Sequence, residues 1–216
     1  MDDEELRKIL HNREMIRERT LSSYEELLGI DITAMAEERV RNQGKFVWYD
    51  LCCGCFDAGA NLKYRLDSRG QGDLNSGIVI VGIDADTYSE QDEVKGYKTI
   101  LRRGNVVNYP FPLDVDLITC LRGLRYVEQY LGQGTQAVQH WYNSVPVGAV
   151  IAFDYNGDNS FLAERGDIYI KVQGVPLWQA LQNQLGDAVK TSKNSNLKES
   201  AFAVTITKRD PRELRL

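Results

Sequence analysis

The stretch Phe46-Val-Trp-Tyr-Asp-Leu-Cys-Cys-Gly-Cys-Phe-Asp-Ala-Gly59 sets an apolar run against an acid, Asp50, and follows it at once with small residues, Cys52, Cys53, Gly54 and Cys55. It reads as a buried strand over Phe46 to Leu51, a tight loop, and a helix that starts near Asp57 and runs through Leu62 and Leu66. Strand, acid, small-residue turn and helix together form a place where backbone can press against a ligand. The free N–H groups of the helix start face whatever binds there.

Working outward, the Gly77–Asp84 run, Gly-Ile-Val-Ile-Val-Gly-Ile-Asp, is a second strand; its nearly continuous β-branched character suits burial on both faces. Further strands are expected at Thr99–Arg102, Val115–Cys120, Val147–Asp154 and Ala201–Thr207, with Asp167–Val172 as an edge or inserted strand. Helical stretches fall between them, at Ala58–Leu66, Tyr126–Ser144 and Pro176–Lys190. Strands alternating with helices predict an α/β chain: a doubly wound, mostly parallel sheet with helices on both faces. A polar loop is expected over residues 69–77 and a flexible segment over Thr191–Ser200.

Before the first strand the chain is charged and helix-prone. Leu6, Ile9, Leu10 and Ile16 fall at helical spacing; Ser22 or Ser23 with Glu25 and Glu26 resembles the cap of a short helix; Ile30–Arg41 reads as another helix, ended by Gly44. This divides the chain into an N-terminal helical segment, 1–44, that covers one end of the sheet or acts as a lid, and a Rossmann-like domain, 45–216.

The 216 residues suit one α/β domain with an appendage, and 43% apolar residues suffice for a core. A net charge of −5 speaks against nucleic acid held on a wide basic surface. No run of 18 apolar residues predicts a membrane span, and the acidic start, Met-Asp-Asp-Glu-Glu, is no secretory signal. The four cysteines, three crowded into one loop and the fourth at 120, are not spread as staples, so a reduced, cytoplasmic setting is expected. A metal held by Cys52, Cys53 and Cys55 is the alternative, but zinc favours paired C-x-x-C spacing and four ligands, and His11 and His140 lie far off in sequence. No metal site is expected.

Ligands of doubly wound sheets sit at the carboxyl ends of the strands. Asp50 and the cysteine loop, Asp84, Gly104-Asn105, Cys120-Leu121-Arg122 and Asp154-Tyr155 all fall there. A carboxylate at the end of strand two, Asp84, has two oxygens with which to hold a vicinal diol; its alternative role is to cap a helix starting near Asp86 or Thr87. The loop lacks G-x-G-x-x-G, which argues against a dinucleotide and an NAD(P)-dependent oxidoreductase, and Asp50 beside it suits a cationic ligand better than a diphosphate.

These residues resemble the class I methyltransferases that use S-adenosylmethionine. Asp50-Leu-Cys-Cys-Gly-Cys-Phe56 is similar to their D-x-G-x-G-x-G loop, and Ile80-Val-Gly-Ile-Asp84 to their second motif. Gly104 through Pro112, continuing to Asp116-Leu-Ile-Thr-Cys120, resembles the passage from the adenine contact into strand four. Gly123-Leu-Arg-Tyr-Val127 and Pro146-Val-Gly-Ala-Val-Ile-Ala-Phe153 resemble the segments after it and into strand five. The likeness runs from about residue 46 to 155. Cys52 and Phe56 stand where two of the three usual loop glycines are.

The resemblance implies S-adenosylmethionine as cofactor and S-adenosylhomocysteine as product. Asp50, Cys52, Gly54 and Cys55 would lie beside the methionine part; Asp84 and Ala85 would take the ribose, Asn105 and Val106 the adenine, and Cys120 and Leu121 the sulfonium side. It implies a methyltransferase for a small molecule or a peptide, with a noncatalytic binding or partner protein of the same fold as the alternative. Asp154 and Tyr155 are the candidate bases; His140 reads as packing or surface, His11 as surface or lid, and Arg122 and Arg125 as an attraction for an acidic acceptor or a solvated helix start. Asn-Pro-Pro-Tyr is absent. Trp141 and Trp178, if exposed, would anchor an interface.

Overall fold

β1 spans Phe46–Leu51, as predicted, and all six of its residues are buried. Its side chains alternate between two cores. Val47, Tyr49 and Leu51 point to one, Phe46 and Trp48 to the other. The computed structural model describes residues 20–53, 57–84, 91–94, 97–121, 123–124, 127, 131–156, 189–192, 201–208 and 210. Outside them lie the expected helix before residue 20, the Asp167–Val172 strand, most of the 176–190 helix, and Gly54, Cys55, Phe56, Ala85, Arg122, Arg125, His11 and Trp178.

Two helices precede β1. α1 is Leu21–Leu28; its cap is Thr20, whose hydroxyl accepts from the Ser23 N–H at 3.3 Å, ahead of Ser22 and Ser23, the serines expected to cap it. α2 is Ile32–Gln43, capped by Asp31 and ended by Gly44 at φ 76. That conformation costs glycine nothing, so the stop was readable. α3 is Asp57–Ser68. The expected polar loop after it contains a short 3-10 helix, Gly72–Gly77, and β2 follows at Ile78–Asp84.

The next connection was not foreseen. β3, Gln91–Val94, and β4, Tyr97–Arg103, form an antiparallel hairpin that extends the Thr99–Arg102 expectation in both directions. Gln91-Asp-Glu-Val pairs only with β4 among the described residues and has no apolar alternation to betray it. β5 is Leu117–Cys120, shorter than Val115–Cys120. The Asp116 carboxylate takes the Val47 N–H at 2.8 Å, where a ladder carbonyl would otherwise stand. α4 is Gly134–Ser144 only; Gly132, at φ 63, interrupts the single helix expected over 126–144. β6 is Val150–Asn156, starting after a turn at Gly148, φ 87, rather than at Val147. β7, Val189–Ser192, replaces the end of the expected 176–190 helix and the start of the expected flexible segment, and β8 is Ala201–Thr207, as predicted.

These eight strands form one sheet in the order β3-β4-β2-β1-β5-β6-β8-β7. The central run β4-β2-β1-β5-β6 is parallel, and the antiparallel pairings are β3 with β4, β6 with β8, and β7 with β8. The sheet is thus doubly wound and mostly parallel. On one face α1, α2 and α3 bury Leu21, Tyr24, Leu28, Ile32, Leu62 and Leu66 against Phe46, Trp48, Ile80 and Leu117. Removing each such side chain from water contributes about 1.5–3 kcal/mol. On the other face α4 and the loop from Gly104 to Val115 cover Tyr49, Val81, Ile118 and Phe153. Trp141 is fully buried there, which removes it as a surface anchor; its Nε1–H donates to the Val106 carbonyl at 2.7 Å.

Candidate functional site at the carboxyl edge of the sheet

Strand register brings the expected residues into one lateral row. Asp84 pairs with Arg103 on β4; on its other side it stands one step past the Leu51–Ile83 pair, beside Cys52. Cys52 in turn stands beside Leu121, two steps past the Asp50–Thr119 pair, and Leu121 is one step past Cys120–Phe153, beside Asp154. Backbone straps lock the row: Cys53 N–H donates to the Ile83 carbonyl at 3.2 Å, and Gly104 N–H to the Asp84 carbonyl at 2.9 Å.

Cys52 has φ 56 and is the only non-glycine residue with positive φ among the described residues. That conformation costs an L-residue about 1 kcal/mol. Cys52 contacts Cys120, and both are free thiols. The hydrogen bond that the Cys120 thiol donates to Cys52, burial and the nearby acids push the Cys120 thiol well above its ordinary range. Gly123 packs over the pair: a Cβ there would stand 2.7 Å from the Cys52 Sγ and 2.8 Å from the Cys120 Sγ.

Asp50 sits two residues inward of the row and is fully buried on the α1 side. The Tyr24 hydroxyl donates to its Oδ2 at 2.6 Å, the Thr119 hydroxyl to its Oδ1 at 2.5 Å, and Trp48 Nε1–H to the Thr119 oxygen at 2.8 Å. Sequence reasoning named Asp50 but missed Tyr24 and Thr119. The available signal was a lone hydroxyl in the apolar run Leu117-Ile-Thr-Cys120, since a buried polar group needs a partner.

Asp84 is 7% exposed. Asn105 is exposed at the end of β4; its Oδ1 accepts from the Val107 N–H at 3.0 Å, which shapes the loop. The Val106 side chain belongs to the α4-side core. Cys120 and Leu121 are buried in opposite cores, Cys120 on the α4 side and Leu121 on the α1 side. Asp154 is half-buried at the row's end; the Tyr155 backbone lies in β6, and its side chain is outside the described residues. His140 lies on α4, where its Nε2 meets the Tyr109 carbonyl at 2.9 Å and its ring lies near Phe111. Among the described residues no group of three His, Cys, Asp or Glu side chains is placed to hold a metal ion, and no helix is long and apolar enough to cross a membrane.

No protein-family model matches the sequence, and no curated protein matches it. Solved structures do. The CurJ carbon methyltransferase superposes with a TM-score of 0.52 at 8% identity, over 77% of this chain and 49% of that one, so this chain spans about half of that protein's length. The fold is the class I methyltransferase fold. The N-methyltransferase NodS from Bradyrhizobium japonicum WM9, crystallised with S-adenosyl-l-homocysteine, is similar over 95% of this chain and 99% of its own, with 10% identity and a TM-score of 0.49. The aminoglycoside resistance methyltransferase NpmB1 is similar over 82% of this chain and 93% of its own, with 16% identity and a TM-score of 0.46. In the class I fold of this chain the Asp84–Cys52–Leu121–Asp154 row is the carboxyl edge of the parallel strands, where ligands of doubly wound sheets bind.

Proposed function

We propose that this protein is a methyltransferase that uses S-adenosylmethionine to methylate a small molecule or a peptide. The single observation that carries the reading is the placement of Asp84 next to the left-handed Cys52 turn at the carboxyl edge of adjacent parallel strands. The donor set fits the cofactor: an acid for the ribose diol, a small-residue turn that lets backbone approach, and negative rather than positive charge beside a cationic sulfur. When bound, the cofactor supplies an activated methyl group.

The chain's own residues bind and orient. Asp84 takes the ribose hydroxyls, and its backbone is held by Gly104 so that the carboxylate needs little reordering. The Cys52–Cys53 turn, strapped to β2, presents backbone to the amino-acid part, and Asn105 lies at the adenine end. The acceptor approaches from the Asp154 end of the row. Asp154 accepts the acceptor's proton where the acceptor is a hydroxyl or an amine, and positioning supplies the rest. α1 walls the site, because Tyr24 reaches Asp50 from it.

Calorimetry with S-adenosylhomocysteine tests the reading. Micromolar binding by the wild type, weakened at least about thirtyfold in Asp84→Ala as two charge-assisted hydrogen bonds are lost, is the expected result. No binding at millimolar ligand would overturn it.

A further inference from the structure

Leu51 and Cys52 are consecutive, yet both side chains pack into the α4-side core. Along a regular strand, successive side chains point to opposite faces. The left-handed turn at Cys52, φ 56, breaks that alternation and brings its sulfur to Cys120 rather than to the α1 side. The result is a hydrogen-bonded pair of thiols in the middle of the row. Gly123 leaves the space that both sulfurs fill, since a Cβ there would stand no more than 2.8 Å from either. The backbone also suits a covalent link. Neighbouring strands lie about 4.8 Å apart and rise about 3.3 Å per residue. Cys52 stands one step past the residue that faces Cys120, which sets the two Cα atoms about 6 Å apart. A disulfide accepts Cα separations of roughly 4.4–6.8 Å. The neighbouring thiol, Cys53, is buried in the opposite, α1-side core. Cys52 is half-buried and meets small solutes, whereas Cys120 is fully enclosed behind it.

We infer that Cys52 and Cys120 form a redox-modification site: a peroxide joins them as a disulfide in the middle of the carboxyl edge, and the link lowers ligand affinity there. The effect on affinity rests on the cofactor assignment above; the link itself does not. The Cys52 sulfur, as thiolate, attacks one peroxide oxygen; the O–O bond breaks and water leaves. The Cys120 sulfur then attacks the sulfenic acid formed on Cys52. The S–S bond forms, the S–O bond breaks, and the Cys120 proton leaves with the hydroxide as a second water. The two thiols lose two electrons, and one peroxide becomes two waters. Bonding draws the Cys52 sulfur toward β5 and shifts the turn that presents backbone to the ligand. A dithiol reductant reverses the step.

The full-length chain, fully reduced, is treated with a small excess of hydrogen peroxide, blocked with a thiol alkylator and digested with trypsin. The expected product joins peptide 46–63 to peptide 104–122, with fragment masses placing the bond between Cys52 and Cys120. By calorimetry, the affinity of the linked protein for S-adenosylhomocysteine should fall about tenfold, the cost of one lost backbone contact, and should return with dithiothreitol. No link, a link through Cys53 or Cys55, or Cys52 carried on to sulfinic acid unlinked overturns the inference. A Cys52–Cys120 link that leaves the affinity unchanged overturns its effect on the site. Reduced protein that binds no S-adenosylhomocysteine, while the link still forms, refutes the cofactor assignment and upholds the modification site.

Discussion

Gly123→Ala tests the geometry of the site with one methyl group. An added Cβ would stand 2.4 Å from the Cys52 Cβ, 2.7 Å from the Cys52 Sγ and 2.8 Å from the Cys120 Sγ. Ordinary contact begins at about 3.4 Å, so each neighbour must retreat by roughly 0.6–1 Å. The two Sγ atoms end short side chains with a single torsion, and the Cys52 Cβ has none. Cys120 is locked in β5, paired to β6, and the Cys52 Cβ moves only with its backbone, which the adjacent Cys53–Ile83 hydrogen bond restrains. Overpacking of this kind costs about 1–3 kcal/mol, which for a chain of this size lowers the melting temperature by roughly 2–12 °C. Urea unfolding gives the free energy directly. Cys52→Gly removes two of the three overlaps and the strain of φ 56 together. The double variant should therefore recover at least about 1 kcal/mol of the loss, though not all of it, because the Cys120 Sγ contact stays. A Gly123→Ala chain within about 0.5 kcal/mol of wild type, or a Cys52→Gly change that recovers nothing, would refute this account of the Cys52–Cys120–Gly123 cluster.

Two further outcomes follow from the cores. Cys120 and Tyr49 both titrate above their ordinary values of 9.0 and 10.0, Cys120 chiefly through its hydrogen bond with Cys52 and Tyr49 chiefly through burial. The unfolded chain releases these protons first, so their contribution to stability is whole below about pH 9 and is lost as the pH rises through the raised values. Urea midpoints should fall across that alkaline range and fall less steeply in Cys120→Ala; midpoints that do not move with pH would contradict it. Trp141→Phe leaves the Val106 carbonyl without its indole donor and should cost about 1–3 kcal/mol by thermal unfolding, whereas a change near zero would mean that water reaches that carbonyl.

The N-terminal helices are tied to α3 by a second polar cluster. Arg65 on α3 donates to Glu25 on α1 at 2.6 Å, and Glu25 accepts the Thr33 N–H and hydroxyl at 3.1 and 2.8 Å. One carboxylate thus joins three helices. Together with Tyr24 on Asp50, this holds α1 against the carboxyl edge, and the wall of the proposed acceptor site is set by the same contacts that complete the core.

What was legible in the sequence was local. β1 and β8 came out with their observed bounds, and β2 within one residue, because β-branched apolar runs leave little choice of backbone. Gly44 announced the end of α2 because glycine alone takes φ 76 without strain. The acid at the end of β1, the acid at the end of β2 and the small-residue turn marked the edge where a ligand belongs. Tertiary structure alone decided which way those groups face. The donors to Asp50 lie 26 and 69 residues away in sequence, so no window along the chain shows that its carboxylate is turned inward. The polar β3 hairpin, the burial of Trp141 and the meeting of Cys52 with Cys120 are likewise products of strand order and register. Local propensity chooses an element and its apolar face; the free energy of burying that face and satisfying its polar groups chooses the distant partners.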